Sequence, residues 1–287
     1  MPLVAPHDIL ARAFREHWAL GAFNTSNLEV TQAIAWALRE ARSPGIIQTS
    51  EGSIAYAGLL VLWDMIRDIA ESVDVPIILH LDHGKSLEVV RQCIEAGYGS
   101  VMIDGSALAL PDNIALTKRV VDVAHEQGVW VEGEVGAVLG AEGLREGSVI
   151  VEESQLTDPD DAVKFVRETG VDALAVSVGT LHGAFRGEER IRFERLQAIH
   201  EHVLVPLVLH GGSGLPREEI RQAVPLGIAK INIDTELREA FHDTIAGHRE
   251  DAKGHSIDPR KILTPVREAV QKIVAEKAQL FGSAGKA

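Results

Sequence analysis

Cysteine is nearly missing from this chain. Cys93 stands alone among 287 residues, which excludes a disulfide framework and any Cys-x-x-Cys pair that would hold zinc or run redox chemistry. A metal site must therefore be made of histidine, aspartate and glutamate. Long apolar runs are missing as well: the one nearest the start is short and broken by Glu16 and His17, and nothing approaches the roughly 18 apolar residues of a membrane span. Basic residues are scarce, 28 Lys and Arg against 42 Asp and Glu, for a formal charge of −14. That balance repels nucleic acid and anionic membranes, so the expectation is a soluble, cytoplasmic protein with neither as a partner. It also disfavours anionic substrates at long range, so a phosphate needs local backbone N–H groups, a helix N-terminus or a metal. No internal repeat of fixed period and no low-complexity segment is present.

What is present is apolar bulk. With 46% apolar residues the chain can bury a large core, enough for one barrel-sized domain or two ordinary ones. Eight short apolar runs read as strands: Leu20–Thr25, Gly45–Thr49, Pro76–Leu81, Ser100–Asp104, Trp130–Val135, Ala173–Val178, Pro206–His210 and Lys230–Ile233. Amphipathic segments lie between them, including Glu29–Ala41, Leu59–Glu71, Ser86–Ala96, Asn113–Gln127, Pro159–Thr169 and Arg217–Val224, some with proline or serine start signals. Strands alternating with helices predict an α/β fold, a closed (β/α)8 TIM barrel in a single domain over 1–287, with a doubly wound open sheet as the alternative. The stretch Gly136–Gln155 has glycines and charges but no apolar period, and reads as a long loop that covers a site. An extra C-terminal helix is expected from Asp258-Pro259 to about Leu280, followed by a disordered tail from about 281.

In such a barrel the reactive residues collect at the carboxyl ends of the strands. His83, His182 and His210 fall there, far apart in sequence yet facing one another across the mouth, enough for a zinc site with three nitrogen ligands and an open position. His80, three residues before His83, points to the opposite side of the sheet under strand alternation and is read as structural. Asp82 beside a metal ligand suits a general acid/base, the plain alternative being an ion-pairing or loop-capping aspartate. Asp104 and Glu134 at the ends of the next two strands offer a second metal position, an orienting role, or only hydrogen-bonded rim carboxylates. Gly211-Gly212-Ser213-Gly214 before a helix lets backbone N–H groups approach an anion, and Asn232, Asp234 and Thr235 precede the next helix; barrels often bind phosphate there.

Gly21-Ala22-Phe23-Asn24, Gln48-Thr49-Ser50-Glu51-Gly52, His80-Leu81-Asp82-His83-Gly84, Ser100-Val101-Met102-Ile103-Asp104-Gly105-Ser106, Val131-Glu132-Gly133-Glu134-Val135-Gly136, Gly179-Thr180-Leu181-His182-Gly183, Leu209-His210-Gly211-Gly212-Ser213-Gly214 and Lys230-Ile231-Asn232-Ile233 resemble class II fructose- and tagatose-bisphosphate aldolases over nearly the whole chain. The resemblance implies a catalytic Zn2+ on His83, His182 and His210, with Asp82 as the acid/base at the C4 hydroxyl. It implies a second metal position at Asp104 and Glu134, a monovalent cation, and Glu142 handling the proton at C3. Gly183, Gly211, Ser213, Asn232, Asp234 and Thr235 match positions that bind the dihydroxyacetone phosphate half, with Asn24 and Ser50 nearby. Arg260 resembles an arginine that grips the second phosphate, often from a neighbouring subunit, which implies a homodimer or homotetramer. Two positions depart from the family pattern. No aspartate follows Glu142, and Phe185 stands where a tyrosine is common.

The implied substrate is a phosphorylated ketose, fructose or tagatose 1,6-bisphosphate, or a deoxy-keto-sugar acid phosphate. Three rivals share the fold. A Schiff-base aldolase needs a desolvated lysine inside the barrel, for which Lys230 is the one candidate. A metal-dependent hydrolase does not account for the phosphate loops. A non-catalytic sugar-phosphate-binding barrel, such as a regulatory or scaffold subunit, is a rival of another class, and metal analysis with a cleavage assay separates all of these.

Overall fold

The computed structural model describes residues 3–146, 151–185, 190–250 and 257–287, and among these the side chains of 141–146, 184–185 and 248–250 lie outside the description. Its strands are β1 (Leu20–Asn24), β2 (Gly45–Ser50), β3 (Ile77–Gly84), β4 (Ser100–Ile103), β5 (Trp130–Val135), β6 (Gly140–Glu146), β7 (Ala173–Val176), β8 (His182–Phe185), β9 (Leu207–Leu209) and β10 (Ile228–Ile233). Eight of them close into a barrel in the order β1-β10-β9-β7-β5-β4-β3-β2. All neighbours are parallel, with Leu20 opposite Lys230 where β1 meets β10 and Ser50 opposite Asp82 where β2 meets β3. The (β/α)8 barrel is thus the fold. β3 runs three residues beyond its expected end and carries Asp82 and His83 within it.

Two cores explain why the strand sequences are apolar throughout. Leu20, Ala22, Ile46, Ile78, Trp130, Ala173 and Val208 face inward and pack with Leu10, Ala13 and Trp18. Leu10 and Ala13 belong to α1 (His7–Glu16), which closes the amino-terminal end of the barrel. The outward residues pack against the surrounding helices, so both faces are buried and the runs show no polar alternation.

The surrounding helices are α2 (Leu28–Glu40), α3 (Glu51–Ala57), α4 (Leu59–Glu71), α5 (Leu87–Ala96), α6 (Leu110–His125), α7 (Pro159–Thr169), α8 (Phe193–His200), α9 (Arg217–Ala223), α10 (Thr235–Glu250) and α11 (Pro259–Leu280). Asn27, Ser86, Asp158 and Asp258 cap their helices by accepting from backbone N–H groups in the first turn, as short polar side chains do. α10 is the helix expected after Asn232, Asp234 and Thr235, whereas α1, α3 and α8 are not among the segments read from the sequence. The extra C-terminal helix α11 packs along α2, α10 and β1.

Two expectations need correction. The stretch after β5 is not all loop: β6 lies in it and pairs with β8 as a separate two-stranded sheet. The residues from 281 are not a loose tail. Ser283 is buried, its hydroxyl is bonded to Ser43, and the amides of Gly285 and Ala287 donate to Ala41 and Arg42 just before β2. At the other end of the chain Val4 donates to Ile77 at the start of β3. No helix among the described residues is long and apolar enough to cross a membrane.

Candidate active site

The barrel mouth is polar because the inward positions change character toward the carboxyl ends of the strands. β3 illustrates this. Ile78, His80 and Asp82 share one parity and one side, the barrel interior, with His80 against Trp130 and hydrogen-bonded to Ser100 at 2.6 Å. His83 has the other parity and by alternation would face the helices. Instead it adopts a left-handed backbone, φ 49°, where the pairing of β3 with β4 shifts register. Strand alternation therefore fails at His83 and not at His80: both histidines serve the interior, His80 deep and His83 at the rim.

That kink brings His83 to His182 and His210. Ring centroids are 5.0 Å apart for His83–His182, 4.7 Å for His83–His210 and 5.7 Å for His182–His210, and one nitrogen from each lies within 4.8 Å of the others. His182 opens β8, and its amide donates to Leu139 at 2.7 Å, so the small sheet fixes it. His210 follows β9, with its carbonyl accepting from Thr180 at 2.8 Å. Next comes Gly211 at φ 63°, where a Cβ would lie 2.2 Å from the Leu181 carbonyl oxygen. Only glycine lets the two histidine-bearing segments approach this closely. Burial, with His83 and His210 beside it, pushes the His182 pKa well below the ordinary histidine value, which favours the neutral ring that ligates metals.

A second potential ligand group shares His83 with Asp104 and Glu134. His83 Nδ1 donates to Asp104 Oδ2 at 3.0 Å, and Lys85 Nζ lies 2.5 Å from the same oxygen. Burial raises the Asp104 pKa, but His83, Lys85 and Ser106 together carry it far below the usual carboxylate range. Glu134 is pushed the other way: burial raises it, and His210 and His83 do not compensate. Its Oε2 and His210 Nδ1 are both buried without a hydrogen-bond partner, 3.7 Å apart. Two orphaned lone-pair acceptors side by side are costly in a dry interior, and a cation between them would satisfy both. The donor set, three imidazoles with carboxylates beside them, fits zinc.

Asp82 is fully buried beside this group. Its Oδ2 accepts from Asn24 Nδ2 at 2.8 Å, its Oδ1 from Asn232 Nδ2 at 3.1 Å, and His83 Nε2 is 4.0 Å from Oδ1. Burial alone would raise its pKa, but His83, Lys230, His210 and the Asn24 bond outweigh it and hold the carboxyl at about 2. The group is an ionised acceptor at neutral pH. Gln48 Nε2 donates to Asn24 Oδ1 at 2.6 Å, which turns the Asn24 amide so that its NH2 meets Asp82.

Beneath the histidines lies a pair that strand-end reasoning passed over. Glu132 is fully buried, with Oε1 accepting from His210 Nε2 at 2.9 Å and Oε2 2.9 Å from Lys230 Nζ. The bond from His210 places that ring's proton on Nε2 and leaves Nδ1 toward the mouth. Lys230, the candidate for Schiff-base chemistry, is thus tied to a carboxylate below the mouth. The signal for Glu132 was its place two residues before Glu134 in an otherwise apolar strand.

Of the remaining residues, Gly183, Gly211, Ser213, Asn232, Asp234 and Thr235 line one cleft together with Leu181 and His182. Asn24 lies beside Asp82, and Ser50 caps α3 through Ser53. Arg260 stands apart in the first turn of α11, exposed and paired with Asp258 at 2.8 Å. The backbone of Glu142 is on β6, and its side chain lies outside the described residues, as does that of Phe185.

A family profile described as fructose-bisphosphate aldolase class II matches residues 4–286. A fructose-bisphosphate aldolase of Geobacillus stearothermophilus is 41% identical over 100% of this chain and 99% of its own length. A 6-phospho-5-dehydro-2-deoxy-D-gluconate aldolase of Bacillus velezensis is 42% identical over 100% and 98%. Among solved structures, the YdjI aldolase of Escherichia coli K12 superposes with a TM-score of 0.87 at 35% identity, covering 99% of each chain.

Proposed function

The chain belongs to the class II fructose-bisphosphate aldolase family, a family of metal-dependent lyases, and from that premise we propose that it is a zinc enzyme cleaving a ketose 1,6-bisphosphate, fructose or tagatose, reversibly to dihydroxyacetone phosphate and glyceraldehyde 3-phosphate. The observation that carries this reading is Asp82: a buried, ionised carboxylate held by two asparagines, 4.0 Å from one of three histidines whose nitrogens converge within 4.8 Å.

In this reading His83, His182 and His210 hold the zinc, with Asp104 and Glu134 as a second metal position. A zinc ion held there would supply Lewis acidity for the negative charge that spreads from C3 onto the C2 oxygen as the C3–C4 bond breaks. Asp82 accepts the C4 hydroxyl proton while the electrons of that bond move toward C3 and the C2 carbonyl. Glu142 then delivers a proton to C3, completing dihydroxyacetone phosphate. Its phosphate is assigned to the cleft of Gly183, Gly211, Ser213, Asn232, Asp234 and Thr235, with a monovalent cation as helper; Asn24 and Ser50 border the reacting carbons. Glu132 keeps His210 in the tautomer that presents Nδ1. Residues 1–287 act as one catalytic domain, soluble and cytoplasmic, in a homodimer or homotetramer where Arg260 reaches the second phosphate of a neighbour's substrate.

A second substrate reading has its own support, since the keto-sugar acid phosphate aldolase from Bacillus velezensis is as similar as the fructose-bisphosphate enzyme, 42% against 41%. A panel of fructose 1,6-bisphosphate, tagatose 1,6-bisphosphate and 6-phospho-5-dehydro-2-deoxygluconate, offered to the zinc-loaded protein, decides between them. Chelator should abolish cleavage and zinc or cobalt restore it. Full activity in excess chelator, with substrate trapped by borohydride, would overturn the reading in favour of Lys230.

A further inference from the structure

Asp82 lies on a seam between two cavities. Asn232, which donates to its Oδ1, lines the cleft of glycines assigned to the ketone half. Asn24, which donates to its Oδ2, lines a different cavity of about 170 Å³ between the end of β1 and the first turns of α2, α3 and α10, walled also by Ser26, Ser53, Arg238 and Phe241. Asp234 belongs to both walls. With the ketone half and its phosphate in the glycine cleft, the bond to be broken lies over Asp82. The chain beyond C4 is then directed past Asn24 into the second cavity.

From this arrangement we infer that the cavity beside Asn24 is the subsite for the aldehyde half, and that Arg238 recognises the anionic group at that half's far end. The inference rests on the aldolase reading above. Arg238 is the only cation among the described residues that line the cavity. Its Nε donates to Asp234 at 2.7 Å, which clamps a planar, five-donor head against the wall. A chain of net charge −14 repels anions at long range, so an anionic substrate end needs such a local cation. Arg260, exposed on α11 and paired with Asp258, does not line this space in its own chain; its proposed reach is to a neighbour's substrate, so Arg238 is the cation that the substrate's own chain supplies at that end.

The chemistry of both candidate substrates converges on the same feature. Breaking the bond between the α carbon and the hydroxyl-bearing β carbon releases the same dihydroxyacetone phosphate from each. The other product is a three-carbon aldehyde in both cases, ending in a phosphate from the bisphosphate and in a carboxylate from the keto-sugar acid. An arginine fork pairs with either, so Arg238 serves whichever aldehyde the protein uses.

The test runs in the condensation direction with the zinc-loaded protein and its R238Q, R238K and R260Q variants. Aldehydes are glyceraldehyde 3-phosphate, 3-oxopropanoate and uncharged glyceraldehyde. Wild type should prefer one of the charged aldehydes. R238Q should lose that preference by roughly 10- to 100-fold in kcat/KM, the value of a charge-assisted hydrogen bond, with uncharged glyceraldehyde hardly affected and R238K partly rescuing. Which charged aldehyde shows the loss identifies phosphate or carboxylate as the recognised end. Exchange of the C3 proton of dihydroxyacetone phosphate with solvent, which needs no aldehyde, should be the same in R238Q and wild type. No exchange in wild type would overturn the aldolase reading and the inference with it. Exchange present with the charge preference intact in R238Q, or lost only in R260Q, would overturn the inference alone. An equal loss with charged and uncharged aldehydes would also overturn it and leave Arg238 as a support for Asp234.

Discussion

Asp82 and Glu134 are both buried carboxyls at the same mouth, yet their pKa values are pushed in opposite directions, Asp82 to about 2 and Glu134 upward. The difference is partners. Asp82 has two amide donors and His83, Lys230 and His210 around it, all of which favour its ionised form, whereas Glu134 has one oxygen near a backbone amide and the other without a partner. Carboxyls driven apart in this way take different roles at one pH. Asp82→Asn keeps the shape and removes the proton acceptor; turnover should fall by roughly 10²-fold or more while zinc per chain stays unchanged. Near-wild-type turnover, read beside metal analysis of the same sample, would remove Asp82 from its role. At this scale the sequence was legible in residue identity and illegible in direction. Three histidines and an aspartate were found from strand ends alone, but the side His80 and His83 occupy depends on one left-handed backbone angle that alternation does not foresee. Glu132 and Gln48 escape a reading of strand ends because each works through a partner distant in sequence, and Arg238 because it lies inside a helix rather than at a strand end.

At the scale of elements, the barrel strands were readable because each is buried on both faces, and β5 has the bounds its apolar run predicts. β6 was not readable: Gly140–Glu146 has no alternation to betray it and exists by pairing with β8 about forty residues on. The helix α8 follows Arg192, which makes no side-chain cap, so it lacks the proline or serine start signal that marks its neighbours. The segment from His210 to Gly214 was read as an anion-binding turn, and its structural demand was hidden. Gly211 lets that turn press on the Leu181 carbonyl beside His182, so the element is a clasp for two histidines. Gly211→Ala puts a Cβ into a backbone oxygen at a left-handed position, where no side chain can move aside. It should lower stability by about 1–3 kcal/mol and reduce zinc content. Denaturant midpoint and zinc per chain check this, and a variant normal in both would show that the two segments can separate freely.

At the scale of the whole molecule, an apolar surface is left over. Tyr56 at the end of α3 and Leu60 and Val61 at the start of α4 are 79%, 65% and 62% exposed, close together in sequence and on the side where β2 delivers its carboxyl end. Adjacent exposed apolar groups of this size commonly mark an association face. Sedimentation of the wild-type protein should give a multiple of the 31.0 kDa chain mass, and replacing Leu60 and Val61 together by lysine should shift it toward one chain. A wild-type protein that sediments as a single chain at working concentration would end the proposal of an oligomer. The described ends of the chain have a separate consequence. Val4 is tied to the first residue of β3 and Ala287 to Arg42 just ahead of β2, two neighbouring strands, and both ties are at the closed base rather than the open mouth. A fusion partner, affinity handle or solid support attached through either end therefore hangs behind the barrel, and an immobilised catalyst made in this way keeps its entrance facing the solution.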